Sequence, residues 1–307
     1  MARFLGLGPE SAYATPVAPT VFLEAESEQI RDEPVTEAIQ TIRTRSVRAN
    51  EILTASARGP ATVLANYQDM ANLFYYLLGD VDVTGAGPYT HTVPGSTGVA
   101  DRPSLTVEVT RDGTGGAQSW RYAGMFLTQL QLSVAVDQVM RAQLGFLGKE
   151  EATGTAGTPS WPDLDLVLPR HCTMEIDSVS VPVRRFSINL QAPVSEPSVL
   201  GSERFGSTPA DSAGMSVAGE AEVVFDDMVT YNKFAARTHV PVVLTCSTSG
   251  DEDMVLTMGD ALLTAYTPQL DGRNQLVAPV TWASQFATTA TDIIQAVVIN
   301  DREDATV

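Results

Sequence analysis

The side chains that most often carry chemistry in proteins are few in this sequence and widely spaced. The three histidines, His91, His171 and His239, lie far apart and show no metal-ligand spacing. The sequence has no His-Glu-x-x-His run, which typically binds zinc, and no Gly-x-Ser-x-Gly segment, which predicts a serine nucleophile. No glycine-rich phosphate loop follows a strand. The sequence therefore predicts no metal, no cofactor and no enzyme activity.

Carboxylates and cysteines are the remaining candidates for chemistry. The acidic run at residues 251–253 lacks the alternating oxygen ligands and the glycine of a calcium loop, so it indicates a solvated turn. A pair of catalytic carboxylates for glycoside hydrolysis stays open, although few aromatic side chains are available to line a sugar cleft. The two cysteines, Cys172 and Cys246, either pair with each other or are small buried hydrophobic residues, and we favour the second interpretation.

Charged residues are separated by sign in one stretch. Residues 24–37 carry six carboxylates against one arginine, and residues 43–58 carry four arginines against one glutamate. In a hairpin, the acidic arm would pair with the basic arm of the same chain. In an assembly, the same charges would meet the opposite sign on a neighbouring subunit. Both interpretations stay open, and the inter-subunit candidates are Arg31, Glu33, Glu37, Arg43, Arg45 and Arg48.

The composition limits the class of protein and the class of partner. The chain has 307 residues with 19 Lys and Arg against 37 Asp and Glu, so its net charge is −18. Lys and Arg supply most of the affinity for nucleic acid phosphates, so a DNA-binding protein of the usual kind is disfavoured. No run of about 18 apolar residues predicts a membrane helix, and the start shows no signal-peptide core. The length corresponds to roughly two domains.

Alternating apolar and polar residues predict a chain built mainly of antiparallel strands. Over residues 130–146, apolar side chains recur at every second position on both sides of a turn near Asp137, which is typical of a long β-hairpin. Residues 186–191 and 215–223 show the same period of two. The predicted fold class is therefore all-β.

Helical periodicity occurs in two segments, residues 67–78 and 225–237. Asn66 is the expected N-cap of the first helix, and Gly79 is its expected C-terminal stop. Each helix follows an alternating strand and precedes a hairpin, so the order of elements repeats along the chain. This repetition predicts an internal duplication, with two tandem antiparallel β-sandwich units and one flanking helix in each.

The duplication defines the expected domain boundaries. A connector rich in Gly and Thr separates the two units, and a short strand is expected near residues 293–299. The predicted segments are an extended N-terminal arm at 1–20, a first unit at 21–150, a linker at 151–166, a second unit at 167–286 and a C-terminal tail at 287–307.

The segments at residues 8–16, at residues 89–94 with 103–108, and at residues 122–133 together resemble the tail tube proteins, or major tail proteins, of long-tailed (siphovirus-type) bacteriophages. The opening Gly8-Pro-Glu-Ser-Ala-Tyr-Ala-Thr-Pro16 is similar to the start of these proteins, although Ala14 departs from their usual Tyr-Gly-Thr-Pro. Residues 89–94, followed by residues 103–108, resemble an internal signature of the family. Residues 122–133 show its pattern of a glycine that leads into an alternating strand. With the duplication, these segments identify the chain as a member of this family with a duplicated tube domain.

The resemblance implies a structural virion protein and no catalyst. Such proteins form rings that stack into a hollow tube, in which the inner sheets join into one continuous β-barrel and the genome passes through the lumen. The implied partners are further copies of the chain, a tape measure protein inside the tube, and tail terminator and distal tail proteins at its ends. DNA would pass without specific binding, no membrane is involved, and assembly would take place in the host cytoplasm.

The resemblance also gives expectations for the ring and the channel. With two units per chain, three chains would fill six equivalent positions, which predicts a trimeric ring with pseudo-sixfold symmetry. The polar face of the strands would line the lumen, although a period of two does not distinguish the lumen from the outer surface. The lumen candidates are Gln129, Gln131, Ser133, Asp137, Arg141 and Gln143 in the first unit and Ser187, Asn189 and Gln191 in the second.

Stacking of the rings is expected to depend on segments outside the sandwich cores. The candidates are the N-terminal arm, the charged segment 31–48, the loop 80–103 and the C-terminal tail. Two other functions remain as alternatives at this stage. One is a distal tail or adhesin-like β-sandwich module, with carbohydrate as a candidate ligand, and the other is a β-sandwich hydrolase.

Overall fold

The computed structural model describes the following parts of the chain: residues 3–43, 45–95, 102–114, 116–154, 157–161, 165–195, 200, 210–225, 228–248, 252–268, 276–285 and 292–306. The segment Asp271-Gly272-Arg273-Asn274, whose sequence is typical of a hairpin turn, lies outside these ranges. Strands make up most of the described residues, so the predicted all-β class is confirmed.

The elements of the first half surround one helix. They are β1 (Phe4–Pro9), β2 (Val21–Leu23), β3 (Ala25–Glu28), β4 (Arg31–Ile39), β5 (Ala49–Leu64), α1 (Tyr67–Leu78), β6 (Asp82–Thr84), β7 (Tyr89–Pro94), β8 (Leu105–Gly113), β9 (Gly116–Ala135), β10 (Gln138–Gly148) and β11 (Glu150–Gly154).

The elements of the second half begin after a short 3-10 turn, Pro169–His171. They are β12 (Cys172–Ile176), β13 (Val179–Val181), β14 (Val183–Gln191), β15 (Val194–Ser195), β16 (Ala210–Asp211), β17 (Ser216–Val224), α2 (Val229–Ala236), β18 (His239–Ser247), β19 (Asp253–Tyr266), β20 (Val277–Ser284) and β21 (Gln295–Asn300).

The long strand β9 belongs to two layers of the first half. Its N-terminal part pairs with β8 and β11, and β8 continues through β1 to β2. Its C-terminal part pairs with β10, and β10 continues through β5 to β3 and β4. Gly124 lies near the change of layer at φ +65, a left-handed conformation that favours glycine. The side chains between the layers form the core.

The strand pairings of the first half recur in the second half. The pairings of β12 with β13 and β18, of β18 with β19 and of β19 with β21 repeat those of β1 with β2 and β8, of β8 with β9 and of β9 with β11. In the other layer, the order β14, β17, β20, β19 repeats the order β3, β5, β10, β9. The order of strands along the chain is also the same.

An aromatic ring lies opposite a glycine at the same place in each half. Phe146 of β10 faces Gly59 of β5, and Trp282 of β20 faces Gly219 of β17. A Cβ atom at Gly219 would lie only 2.2 Å from the Trp282 ring, so the ring occupies the space that a side chain would need.

A β-bulge lies at the same position in both halves, directly after the residue that pairs with this aromatic side chain. Thr128 is the extra residue of β9 opposite β10, and Thr264 is the extra residue of β19 opposite β20. The Thr128 hydroxyl donates to the Gly145 carbonyl at 3.0 Å, and the Thr264 and Thr281 hydroxyls lie 2.7 Å apart. The two halves therefore agree in pairing and also in register.

The two halves share one sheet and one core. Strand β9 of the first half pairs with β14 of the second over residues 129–135 and 185–191. Strand β21 of the second half pairs with β7 of the first. Buried apolar residues of both halves form one cluster. The large sheet stays open in the single chain and does not close into a barrel within the described residues.

Helix α1 matches its prediction, whereas the start of α2 does not. The Asn66 side chain accepts a hydrogen bond from the Asp69 N–H at 2.8 Å, and Gly79 ends the helix in a left-handed conformation at φ +94. The second helix was expected from residue 225. It begins at Val229, because the Phe225 N–H still donates to the Leu276 carbonyl in the strand layer.

The predicted N-terminal arm and linker contain strands of the first half. Residues 4–9 form β1, which lies between β2 and β8 and is almost wholly buried, so this part is no extended arm. The expected linker begins within β11, which pairs with β9. Residues 82–84 and 89–94 of the expected loop form β6 and β7, which pair with each other. Hydrogen bonding along sheet edges outweighs the loop-like composition of these segments.

The C-terminal tail packs against the first helix. Its expected strand is present as β21, which pairs with β19 and β7. The Asn72 side chain donates to the Ala305 carbonyl at 2.8 Å and accepts from Arg302 at 2.7 Å. Asn300 donates to the Tyr67 carbonyl at 3.0 Å. These buried bonds make the described residues 295–306 an integral part of the fold and no free tail.

Candidate functional site

Eight of the nine predicted lumen residues lie on one polar face that runs across β10, β9 and β14. The Gln129 side chain donates to Asn189 at 2.9 Å, and Gln131 donates to Ser187 at 3.1 Å. This face is continuous because β9 and β14 are neighbours in the sheet. The cross-strand pairs are Gln129–Gln191, Gln131–Asn189, Ser133–Ser187, Arg141–Ser133 and Gln143–Gln131.

Asp137 lies apart from the other candidates, and the three candidates of the second unit differ from expectation in their strand partners. Asp137 is exposed at the turn between β9 and β10, at the end of the polar face and outside the rows of pairs. Ser187, Asn189 and Gln191 were expected in the second unit as counterparts of the first hairpin. They lie on β14 and pair directly with that hairpin, whereas the matching hairpin of the second half is β19 and β20.

The polar face extends beyond the predicted residues. Thr62 on β5 lies opposite Gln143, Glu220 on β17 lies opposite Ser187, and Thr281 on β20 lies opposite Glu220. The signal for these residues is the same alternation of polar and apolar positions. Their neighbours in space come from distant parts of the chain, so the sequence alone does not place them beside the first hairpin.

Arginines on or beside this face are next to carboxylates. The Arg141 guanidinium donates to both oxygens of Glu26 at 2.7 and 3.0 Å, and this contact lowers the pKa of Glu26. Arg184 and Arg185 lie 3.5 and 3.0 Å from the Glu222 carboxylate. Amides, hydroxyls and paired charges therefore dominate the face, and little positive charge is left to bind phosphates.

Strand β4 of the charged segment 31–48 forms a hairpin with β5. This hairpin extends past the neighbouring strands of the sheet. Strand β4 pairs only with β5 among the described residues, and β10 covers β5 only over residues 57–64. Glu33 contacts Arg58 at 3.2 Å, which is the expected cross-strand pair of an acidic and a basic arm. Glu37, however, lies opposite Glu51. The pairing of charges within the chain is therefore incomplete.

The tip of this hairpin is unusually rich in exposed apolar and cationic side chains. Among the described residues, Arg43, Arg45 and Arg48 are exposed and form no ion pair. Exposed apolar residues on one projecting element are typical of a surface that binds another protein. The exposed apolar side chains are Val35, Ile39, Ile42, Val47, Ile52 and Leu53.

A buried arginine closes the junction between β9 and β14. Arg102 is 5% exposed, donates to the Ala192 carbonyl at 3.0 Å and also donates to the Leu127 carbonyl. Its guanidinium lies 5.9 Å from the centre of the Phe126 ring. Burial lowers the pKa of Arg102 to about 10. The fork of this side chain thus joins the middle of β9, at Leu127, to the end of β14, at Ala192.

The N-terminal segment that carries the family resemblance is held by one buried carboxylate. Glu10 accepts hydrogen bonds from the Ser104 and Thr106 hydroxyls, both at 2.8 Å. It also accepts from the Ala14 N–H at 2.8 Å and from the Gly124 N–H at 3.0 Å. The opening motif is therefore joined to β8 and to the glycine of β9 in one network.

The remaining candidates for chemistry are the two cysteines and the side chains that could bind a metal ion. The Cys172 and Cys246 sulfurs lie 2.9 Å apart on paired strands as free thiols, and Cys246 is buried. Within the described residues, no cluster of three His, Cys, Asp or Glu side chains is arranged to bind a metal ion. Neither helix in the described part of the chain has the length and apolar character needed to cross a membrane.

The described residues thus form a β-rich protein with an open antiparallel sheet, one polar sheet face and a hairpin with an exposed apolar tip. The family model for phage tail tube proteins matches residues 2–284, so the chain belongs to this family. It is a structural component of the bacteriophage tail. In proteins of this family, copies of one chain associate into a tube. No curated protein matches the sequence significantly.

Proposed function

We propose that this chain assembles into rings, that the rings stack into the tail tube, and that the genome leaves the capsid through the lumen of this tube. The observation that carries the proposal is the continuous layer formed by β5, β10, β9, β14, β17 and β20. One face of this layer is apolar and covered by the core, and the other is polar and uncovered. Such a layer suits the wall of a water-filled channel.

We further propose that the chain is a duplication of one tube unit. The recurrence of pairings, of the aromatic residue opposite a glycine and of the threonine bulge supports this proposal. The strands suggest units spanning residues 4–154 and 172–300, which are wider than the boundaries expected from sequence. Two units per chain would let three chains form a ring with pseudo-sixfold symmetry.

The polar face is proposed to line the lumen. Its amide and hydroxyl side chains would keep water at the wall, and its arginines are beside carboxylates. A net charge of −18 adds a repulsive field that is screened over about 8 Å at physiological salt. Passing DNA would therefore slide without specific binding. A tape measure protein before ejection, and terminator and distal tail proteins at the tube ends, complete the proposed set of partners.

Electron microscopy of the purified protein at high concentration tests the assembly. Hollow tubes built of stacked rings are the expected result, and a protein that stays monomeric under all conditions of concentration and salt would contradict it. The direction of the polar face is tested by Gln131→Cys in assembled tubes. A thiol reagent too large for the channel should leave this cysteine unlabelled, whereas rapid labelling would place the face on the outside.

A further inference from the structure

We propose that the contact between neighbouring chains in the ring copies the contact between β9 and β14 inside one chain, residue for residue. In this contact, β19 of one chain pairs with β4 of the next, with Ala265 opposite Glu33 and Thr267 opposite Arg31. Arg237 takes the place that Arg102 has inside the chain. The inference rests on the proposed ring and names the surfaces and register that would form it.

The correspondence between β14 and the edge formed by β3 and β4 is fixed by a shared bulge. Strand β3 pairs with β5 through Ala25 and then Ser27, which leaves one extra residue between them. Strand β14 pairs with β17 through Val183 and then Arg185, with the same extra residue. The partners on β5 and β17 also agree, since Val63 of β5 faces Ala25 and Val223 of β17 faces Val183.

The correspondence continues along β4. Ile30 and Ile188 are both fully buried, and Ile188 faces Gly219, the counterpart of Gly59. Three residues further on, Glu33 faces Ser56 of β5 and Gln191 faces Ser216 of β17. Glu33 is therefore the counterpart of Gln191. By the same register, Arg31 is the counterpart of Asn189.

The correspondence between β9 and β19 follows from the threonine bulge. Gln129 comes directly after Thr128 and faces Gly145, while Ala265 comes directly after Thr264 and faces Thr281. Because Gln129 pairs with Gln191 within the chain, the same geometry pairs Ala265 with Glu33 of the next chain. Thr267 then meets Arg31, as Gln131 meets Asn189.

Both edges required for this contact are uncovered in the single chain. Strands β3 and β4 pair only with β5 among the described residues. Strand β19 pairs with β20 on one side, and on its other side no strand of the described chain covers it beyond Leu262. A cavity of about 440 Å³ borders β3 and is lined in part by Glu26, Arg111 and Trp161. Uncovered strand edges pair readily with another chain.

Arg237 is the second, independent sign of a missing neighbour. Arg102 lies three residues before Leu105, which faces β9, and Arg237 lies three residues before Val240, which faces β19. In both strands a β-bulge comes directly after the strand residue, Leu105 in β8 and Val240 in β18. Arg102 is buried between β9 and the end of β14, whereas Arg237 is exposed. The neighbouring chain would supply the carbonyl that Ala192 supplies inside the chain.

Cross-linking tests the register. In a background with Cys172→Ala and Cys246→Ala, the pair Ala265→Cys and Glu33→Cys should form disulfides between chains in assembled tubes and none in monomers. Directly opposed residues have Cβ atoms about 4.5–5.5 Å apart, which is close to disulfide geometry. The pair Gln129→Cys and Gln191→Cys is the positive control, because it should link within one chain.

The out-of-register pair Ala265→Cys and Glu37→Cys should stay unlinked. Tubes that form without linkage of Ala265→Cys to Glu33→Cys would overturn the register and leave the proposed function standing. Wild-type protein that forms no tubes would overturn the proposed function itself. If the cysteine pair prevents assembly, the arginine comparison decides.

The arginine comparison uses Arg237→Ala, Arg102→Ala and the exposed control Arg170→Ala. Arg237→Ala should melt like the wild-type monomer but need a roughly tenfold or higher protein concentration to assemble, because charged hydrogen bonds across the contact are lost. Arg102→Ala should lower the melting temperature of the monomer. Assembly of Arg237→Ala at the wild-type concentration would contradict the role of Arg237.

Discussion

At the scale of single residues, Glu10 is a carboxylate whose four hydrogen bonds hold the opening segment in place. Glu10→Gln keeps the shape of the side chain but replaces one carboxylate oxygen by an NH₂ group. This donor then faces the hydroxyl and N–H donors that contact Glu10. We expect the free energy of unfolding of the monomer to fall by about 2–4 kcal/mol, because several buried polar groups lose a partner. Urea denaturation followed by circular dichroism measures the change. An unchanged midpoint would show that the network adds nothing to stability.

Glu252 makes the stability of the monomer depend on pH. Burial, together with the nearby charges of Asp165 and Asp301, raises the pKa of Glu252 to about 7, although Gln68 donates a hydrogen bond to it. The folded state therefore keeps this proton at pH values where the unfolded state has lost it. Stability falls as pH rises from about 4.5 to 7, because the unfolded state binds fewer protons there.

Glu252→Gln should remove this dependence. At pH 8 the variant should be more stable than the wild type by roughly 1 kcal/mol, since solvent screens a group that is only partly buried. At pH 5 the two proteins should unfold at similar denaturant concentrations. Parallel denaturation curves at both pH values make the comparison, and an equal difference at pH 5 and pH 8 would contradict the role of this carboxyl group.

At the scale of elements, the tip of the hairpin of β4 and β5 carries Arg43, Arg45 and Arg48, which are exposed and form no ion pair among the described residues. We expect Arg43→Glu with Arg45→Glu to slow or block the growth of tubes while the monomer melts as before, because both side chains are exposed and form no ion pair with any described residue. Light scattering during assembly measures the rate. Arg170→Glu is the control, and normal growth of the double variant would show that these charges do not guide stacking.

Elements with one buried face were predictable from the sequence. The hairpin of β9 and β10 shows the period of two because one face is packed and the other is polar. Helix α1 was predictable to the residue because Asn66 and Gly79 supply its caps. Val136 breaks the pattern, since it lies at the turn and is 67% exposed. Periodicity therefore predicts elements best where burial alternates cleanly.

Elements without such alternation were missed. Strand β1 is buried on both faces, so its sequence lacks the alternation of apolar and polar residues that predicts a strand. Strand β11 has the composition of a loop, and pairing with β9 alone makes it a strand. The junction of β9 and β14 joins distant segments, and no local signal sets its register. Eight residues of the candidate polar face could therefore be predicted from the sequence, but its continuity across β9 and β14 could not.

At the scale of the whole molecule, the number of chains in a ring tests the proposed duplication. Each chain has a mass of 32.8 kDa, and we expect three chains per ring because each chain supplies two units. Native mass spectrometry of single rings, or averaged images of tubes seen along their axis, measures this number. Six chains per ring would contradict the prediction, even if the tube itself forms as proposed.

The contact of Asn72 with the Ala305 carbonyl joins residues that are 233 positions apart in the chain. A ribosome adds about 5–20 residues per second, so the partner of Asn72 is made roughly 10–50 seconds after helix α1. During this interval the polar side of α1 is open to solvent, and β7 lacks β21. The first half of the chain therefore completes its fold only after residue 305 has been translated. A nascent chain that stops earlier lacks these contacts of α1 and β7.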